Sequence, residues 1–227
     1  RSNLFGVYTS RIAAAFNTPL AGIIFAIEEM ARSYDRRHSG MMMVGVVIAG
    51  MTAIIVHQDN YSYYGTTPAT LDFSWVWLAV VICGVVGGLA GGLFSQGLIF
   101  GSKKLRPVMQ QHWLLIAMVC GLIVAVLSIF SSGTASGTGY NEAKRIVSCA
   151  GLDSCNADFG LMYPFYKIMA TAATYLTTIP GGLFAPSLAS GAGLGADLAL
   201  LFPLEMASTV VILGMIGYFT GVVQTPI

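Results

Sequence analysis

Residues 179–186 read Ile-Pro-Gly-Gly-Leu-Phe-Ala-Pro, and none of these positions carries a charged side chain. An apolar run from Ser187 to Leu201 follows directly. Proline fits the first turn of a helix, where its missing N–H would have no intrahelical acceptor, so we predict a helix with Pro186 in its first turn. Gly181 and Gly182 allow a sharp backbone turn and the close approach of a guest. The N–H groups of a first turn carry partial positive charge, so this helix start is a candidate anion site without any cationic side chain.

The overall composition is that of a membrane protein. Of the 227 residues, 56% are hydrophobic and 9% are charged, and the mean hydropathy is +0.75; soluble domains carry about 25% charged residues. The net charge of +1 comes without a basic stripe, so we expect no nucleic-acid partner. We therefore predict an all-α, multi-pass integral membrane protein, surrounded by the lipid bilayer of a plasma membrane or a bacterial inner membrane.

Apolar segments of different lengths follow one another along the chain. A bilayer crossing takes about 20 apolar residues, so the short piece Leu20–Ile27 is predicted to reach only part of the way. Residues 131–160 are polar and glycine-rich, with a short amphipathic piece at Glu142–Val147. The apolar segments that we predict before this region are Met41–Val56, Phe73–Phe100 and Trp113–Phe130. Those after it are Tyr163–Leu176, Phe184–Phe202 and Val210–Val223.

The distribution of positive charge predicts which side of the membrane each loop faces. One loop contains Arg32, Arg36 and Arg37, and another contains Lys103, Lys104 and Arg106. The intervening loop His57–Ser74 has neither lysine nor arginine. Since basic loops stay in the cytoplasm, we predict that the two basic loops are cytoplasmic and that the loop between them is external.

Regularly spaced glycines indicate close helix packing rather than a nucleotide site. Without a predicted strand before them, Gly191, Gly193 and Gly195 do not form a dinucleotide-binding loop, and small-residue packing explains them better. The same packing interpretation applies to two rows at a spacing of four, namely Gly84, Gly88, Gly92 and Gly87, Gly91. A weak internal sequence similarity (an echo of one segment in another) is also present, because Ala15–Leu20 and Val222–Ile227 both place Thr-Pro before an aliphatic residue. Two structural repeats would leave such an echo.

Two adjacent carboxylates, Glu28 and Glu29, end the short piece Leu20–Ile27. Glu28 and Arg32 have the i,i+4 spacing of a helical ion pair, so one interpretation leaves both carboxylates at the membrane surface. Adjacent residues on a helix point about 100° apart, however, so Glu29 is able to face the protein interior while Glu28 faces Arg32. Desolvation favours the protonated form of a buried carboxylate. Glu29 is therefore a candidate proton relay.

The remaining charged residues suggest no metal site. Glu142, Lys144 and Arg145 are predicted to form a solvated face, whereas Asp197 lies within an apolar run. Two interpretations of Asp197 stay open: it lines a vestibule, or it pairs with another segment.

The four cysteines fall into two groups. Cys83 and Cys120 lie within apolar spans, where we predict inert packing thiols. Cys149 and Cys155 lie in a polar loop, where a disulfide is one interpretation if the loop faces an oxidising compartment. The spacing of the latter two does not make a zinc site without a nearby histidine. We expect neither a metal nor a cofactor.

Three stretches carry a resemblance to a known family. The string GLFAP at Gly182–Pro186 resembles the GxFxP signature of the CLC family of chloride channels and proton-coupled chloride exchangers. The longer string PGGLFAPSLASGAGLG at Pro180–Gly195 is similar to that family throughout, and so is Ala13–Met30, AAAFNTPLAGIIFAIEEM. Gly137–Tyr140 also resembles the glycine-rich external turn of the family.

The resemblance implies roles for individual residues and for the whole chain. The backbone of Gly182, and above all the amides of Leu183 and Phe184, would bind chloride or a similar anion, with Pro186 supporting the helix start. Glu29 would be the inner proton-transfer residue and Glu28 its structural neighbour. The implied fold is an inverted repeat of tilted and partial, re-entrant helices, which assembles as a homodimer. The 227 residues would form part of one transmembrane domain: about 1–130 would end the first repeat and add the following spans, and about 131–227 would form most of the second-repeat core.

The resemblance leaves several functions to be weighed. The external gating glutamate and the anion-binding serine of the family would precede Arg1, and its inner tyrosine would follow Ile227, so we expect the chain to be part of a longer protein. Our first hypothesis is proton–chloride exchange, although nitrate is not distinguished from chloride. The alternatives are a passive chloride channel of the same fold and a non-transporting membrane subunit. An intramembrane enzyme using Glu28 and Glu29 is disfavoured, because adjacent helical side chains do not flank one substrate atom.

Overall fold

The computed structural model describes residues 73–150, 159–177 and 181–224, together with Ile48, Met51, Thr52 and Ile55. The three continuous ranges belong to one compact unit, Thr66–Gln224. Its described residues form five α-helices: α1 Phe73–Phe130, α2 Tyr140–Cys149, α3 Tyr163–Leu176, α4 Phe184–Ala199 and α5 Ala207–Val223, with a 3₁₀ turn at Leu204–Met206 before α5. The described residues form helices and turns, which confirms the all-α prediction.

Helix α1 corrects the predicted loop between two spans. The helix runs for 58 residues and includes Lys103, Lys104 and Arg106, which were predicted to lie in a loop. Its one non-helical residue is His112, with φ −136° and ψ 46°, five residues after Pro107. The prediction was wrong because basic side chains lower hydropathy without interrupting helical hydrogen bonding. The segments on the two sides of the kink, Val76–Val108 and Gln111–Phe130, are each long and apolar enough to cross a membrane.

A glycine contact joins α1 to α5. A Cβ placed on Gly87 would lie 2.7 Å from the Tyr218 nitrogen, and one placed on Gly217 would lie 2.6 Å from the Cys83 oxygen. The predicted close packing is therefore confirmed for the row that contains Gly87. In the other row a Cβ on Gly84 would meet open space, and the same holds for Gly88 and Gly92. The spacing predicted close packing for both rows equally, but only in the row of Gly87 and Gly91 do the Cβ positions face α5.

Glycines of α4 allow a similar approach on two sides. A Cβ on Gly191 would lie 2.8 Å from the Met215 Cα of α5, and a Cβ on Gly195 would lie 2.7 Å from the Val211 Cα. Gly193 faces α3 instead, where its Cβ would lie 2.7 Å from a ring carbon of Tyr163. These contacts confirm the packing interpretation of the three glycines and leave α4 enclosed between α3 and α5.

Three of the helices are too short to cross a bilayer. At 1.5 Å per residue, α2, α3 and α4 are about 15, 21 and 24 Å long, less than the hydrocarbon thickness of about 30 Å. Helix α2 is amphipathic: Ala143, Ile146 and Val147 are buried, whereas Lys144 and Arg145 are exposed. Leu204–Val223, which includes the 3₁₀ turn and α5, is a third candidate span. The mixture of long and partial helices is what the resemblance implied.

The cysteines agree with their predicted roles. Cys83 and Cys120 are buried free thiols, and the Cys83 Sγ donates a weak hydrogen bond to the Val210 oxygen at 3.8 Å. Cys149, at the end of α2, is disulfide-bonded, while Cys155 lies outside the described residues. The proposed division of the chain into repeats near residue 130 stays a prediction.

Candidate functional site: the start of helix α4

Helix α4 begins where the sequence predicted. Leu183 precedes the first helical residue, Phe184, and Pro186 occupies the third position of the helix. The first i→i−4 hydrogen bond runs from the Ser187 nitrogen to the Leu183 oxygen at 3.0 Å. Because a helix start concentrates partial positive charge, this end of α4 favours an anion over a cation.

Two apolar side chains anchor the backbone at this helix start. Leu183 packs against a buried cluster formed by Phe94 and Leu98 of α1 with Tyr218 and Val222 of α5. The ring of Phe184 meets the ring of Phe219 edge to face, with centroids 5.5 Å apart. Since the side chains are held by α1 and α5, the main chain at residues 183 and 184 has a fixed position.

Gly182 leaves the helix start open. The residue is exposed, and a Cβ placed on it would have no atom of the described part of the chain within 4 Å. Its φ does not lie in the left-handed region, so the expected sharp glycine turn is not the reason for glycine at this position. The missing side chain instead leaves room for a guest beside the backbone, which was the second part of the prediction.

The helix start forms one wall of a cavity of about 100 Å³. One water needs about 10–15 Å³ of such volume, so the cavity has room for a small ion with part of its hydration shell. Gly182, Leu183 and Pro186 all line it, whereas Phe184 is not among its lining residues. The facing walls come from α1, the turn before α2, and α3: Val124, Ala135, Ser136, Gly137, Ala170, Thr171, Thr174 and Tyr175.

The described residues that line this cavity carry no charge. The hydroxyls of Thr171 and Thr174 each donate to a carbonyl one turn earlier in α3, at 2.8 Å in both cases. A hydroxyl has one hydrogen to donate, so these two threonines do not offer theirs to a guest. Among the groups that line the cavity, the main chain at the start of α4 therefore carries the partial positive charge of a helix N-terminus.

Ser187, in the first turn of α4, has a buried hydroxyl without a hydrogen-bond partner among the described residues. Its relative exposure is 1%. An unpaired buried hydroxyl is costly, and Ser190, one turn later and equally buried, avoids that cost by donating to the Pro186 oxygen at 2.9 Å. The sequence analysis assigned Ser187 to an apolar run and did not predict that the hydroxyls of Ser187 and Ser190 would differ in hydrogen bonding.

Lys167 is a buried cation behind the cavity that the sequence analysis did not single out. It lies in the middle of α3 with a relative exposure of 1%. Its Nζ donates to the carbonyl oxygens of Ala135, Ser136 and Gly137 at 3.0, 3.1 and 3.1 Å. The signal that would have revealed it is an ionisable residue inside an apolar segment, which is rare enough to mark a function.

A comparison with known protein families covers almost the whole chain: residues 9–227 match the family described as voltage gated chloride channel. The chain belongs to this family. The family has a helical polytopic membrane fold and supports chloride transport across membranes. Its members are transporters or channels rather than enzymes. The start of α4 thus belongs to a membrane protein of a chloride-transporting family.

The other predicted site residues are distributed unevenly over the structure. Glu28 and Glu29 lie outside the described residues. Asp197 is half-buried on α4 and lines a second cavity, of about 220 Å³, with Tyr163 and Phe159. Both interpretations of this carboxylate stay predictions. Arg145 stacks over the Phe159 ring, 5.4 Å from its centroid. The cavity that contains Asp197 is separate from the one at the start of α4.

Proposed function

We propose that this chain is part of a proton-coupled chloride exchanger in which the anion is held by backbone amides at the start of α4. The observation that carries the proposal is the uncharged cavity bordered by Gly182 and Leu183 at a helix N-terminus. Such an end holds anions by its dipole and N–H groups. The amides of Leu183 and Phe184 are the proposed ligands, and Pro186 sets where the helix begins.

The rigidity of this helix start supports the proposed role. A site that lets ions through must bind them without rebuilding itself for each passage, so donors on a fixed backbone are better suited than flexible cationic side chains. Leu183 and Phe184 are anchored to α1 and α5, as described above. Apolar lining residues such as Val124 and Ala170 also screen the attraction between the helix end and an anion less than water does.

The proton branch of the proposal rests on Glu29. A carboxylate at the end of a partial intramembrane helix is expensive to keep charged and is suited to carry a proton. Glu28 is the proposed structural neighbour that faces the arginines. We also propose that the full-length protein is a homodimer in which each subunit has its own pathway, as the family resemblance implies.

Proton transport driven by a chloride gradient tests the exchanger directly. Full-length protein is reconstituted into vesicles, and external pH and chloride are recorded together. We expect chloride to drive protons in the wild type, and we expect Glu29→Gln to abolish proton movement while chloride flux persists. Glu28→Gln is the matched neighbour control and should retain coupling. Unchanged coupling in Glu29→Gln would contradict the role of Glu29.

The passive chloride channel is the second candidate, because the cavity would suit either function. The reversal potential distinguishes the two: in an exchanger it shifts when a pH gradient is imposed, whereas in a channel it follows chloride alone. A wild type without any anion flux would favour the non-transporting subunit instead.

A further inference from the structure

The Lys167 ammonium is saturated by three main-chain oxygens. A protonated lysine has three hydrogens to donate, and the carbonyls of Ala135, Ser136 and Gly137 accept all three. A neutral amine has only two hydrogens, so only the charged form makes all three bonds. Burial of Lys167 disfavours its charge, whereas the negative charge of Glu142, on α2, favours it. Lys167 therefore has no donor left for a guest in the cavity and cannot be a direct anion ligand.

The turn that supplies these oxygens is shaped to receive the ammonium. Gly137 and Gly139 adopt left-handed φ values of 67° and 78°, and three consecutive carbonyls of this turn converge on the Lys167 Nζ. Gly139 also lies against the lysine, because a Cβ on it would be 2.8 Å from the Lys167 Cε and 3.1 Å from Nζ. The Ser131 hydroxyl, which accepts from the Ala135 nitrogen at 3.1 Å, stabilises the other end of the turn.

The same turn forms the cavity wall that faces the start of α4. Ala135, Ser136 and Gly137 line the cavity together with Gly182 and Leu183. Three carbonyl oxygens beside an anion would repel it, since each carries partial negative charge in surroundings that screen little. Oxygens that accept from an ammonium are both fixed in direction and compensated in charge.

We propose that Lys167 is a positioning residue for anion binding, which holds the carbonyls of residues 135–137 away from the cavity at the start of α4 and so keeps that wall compatible with chloride. This role rests on the proposed function of the cavity. It does not require contact between Lys167 and the anion. This role predicts that Lys167 affects the affinity for the anion more than the maximal rate of its transport.

The test measures chloride uptake against chloride concentration in vesicles that contain the full-length protein. Lys167→Met keeps the length of the side chain but removes all three donors. We expect the half-saturating chloride concentration to rise about tenfold, the usual consequence of leaving charge-assisted hydrogen bonds unmade, with a smaller change in the maximal rate per folded protein. Lys144→Met, which removes an exposed lysine of α2, should leave both quantities unchanged.

Lys167→Arg keeps the test decisive if the methionine variant does not fold. A planar guanidinium retains the charge but does not direct one hydrogen at each of three converging oxygens as an ammonium does. We expect its half-saturating concentration to rise by roughly two- to fivefold, between wild type and Lys167→Met.

The outcomes separate this role from the proposed function. If Lys167→Met folds and loses only maximal transport rate, with an unchanged half-saturating chloride concentration, Lys167 is structural and the inference is wrong. The same conclusion follows if Lys167→Met is unfolded and Lys167→Arg has the half-saturating concentration of the wild type. If the wild type shows saturable chloride uptake in the same experiment, such variants contradict the role of Lys167 but not the proposed anion site. A wild type without saturable chloride uptake overturns the proposed function and this inference together.

Discussion

At the scale of single residues, Gly182 is where the structure makes the sharpest functional prediction. A methyl group on Gly182 would meet no atom of the described residues within 4 Å, so this part of the fold has room for alanine. The methyl would nevertheless occupy space beside the proposed anion ligands. We expect Gly182→Ala to keep the thermal stability of the full-length protein and to weaken chloride transport by about three- to tenfold, comparable to the loss of one hydrogen bond to the anion. Chloride uptake and thermal unfolding in detergent check the two parts.

Gly121→Ala is the matched control for this prediction. Gly121 lies on the exposed side of α1, where an added Cβ also has no atom within 4 Å, but it does not line the cavity. Its alanine variant should transport like wild type. Equal transport in the two alanine variants would argue that nothing passes beside Gly182.

The start of α4 could be predicted from the sequence, whereas the role of Lys167 could not. Pro186 is in the first turn of α4 as predicted, since the conformational limits of proline are local. The partners of Lys167 lie 30 to 32 residues earlier in the chain. One lysine hardly alters the hydropathy of a fourteen-residue segment, and no local pattern states which distant carbonyls will meet it.

At the scale of helices, hydropathy predicted some boundaries and missed another. Tyr163–Leu176 was predicted with the bounds that α3 has in the structure. The predicted end at Phe100 was wrong, since α1 continues to Phe130. Hydropathy reports the environment of side chains, whereas a helix ends when its backbone hydrogen bonding ends. The kink at His112 is a backbone feature that the apolar pattern located only to within several residues.

The contact between α1 and α5 predicts opposite effects for two glycines of the same helix. A Cβ on Gly87 would lie 2.7 Å from the Tyr218 nitrogen, whereas one on Gly84 would meet open space. Gly87→Ala should therefore force the helices apart and lower stability by about 1–3 kcal/mol. Gly84→Ala should be neutral or should stabilise by up to about 1 kcal/mol, because alanine favours the helix. The midpoint of thermal unfolding in detergent compares them.

Equal midpoints for these two alanine variants would contradict the packing of α1 on α5. A lower midpoint for Gly84→Ala alone would mean that the other glycine row faces a neighbour. Either result would remove the support that Tyr218 gives to Leu183, since both belong to the cluster that α1 and α5 enclose.

At the scale of the whole molecule, the sidedness of the fold follows from charge and redox state together. The basic residues Lys103, Lys104 and Arg106 are exposed near the end of the first candidate span of α1, Val76–Val108, and the positive-inside rule assigns them to the cytoplasm. On this prediction, the span Gln111–Phe130 returns the chain to the external side, where α2 would follow. A disulfide at Cys149 agrees with that assignment, because disulfides persist where the surroundings are oxidising.

Cysteine labelling tests this sidedness, with one exposed lysine from each predicted side of the membrane replaced by cysteine. In intact cells that carry the full-length protein, an impermeant maleimide should label Lys144→Cys and should reach Lys103→Cys only after permeabilisation. Background reaction should be low, because Cys83 and Cys120 are buried and Cys149 is disulfide-bonded. Labelling of Lys103→Cys before permeabilisation, with Lys144→Cys protected, would invert the topology. An inverted topology would turn the N-terminus of α4 toward the opposite side of the membrane, so this measurement also fixes the direction from which chloride approaches the proposed site.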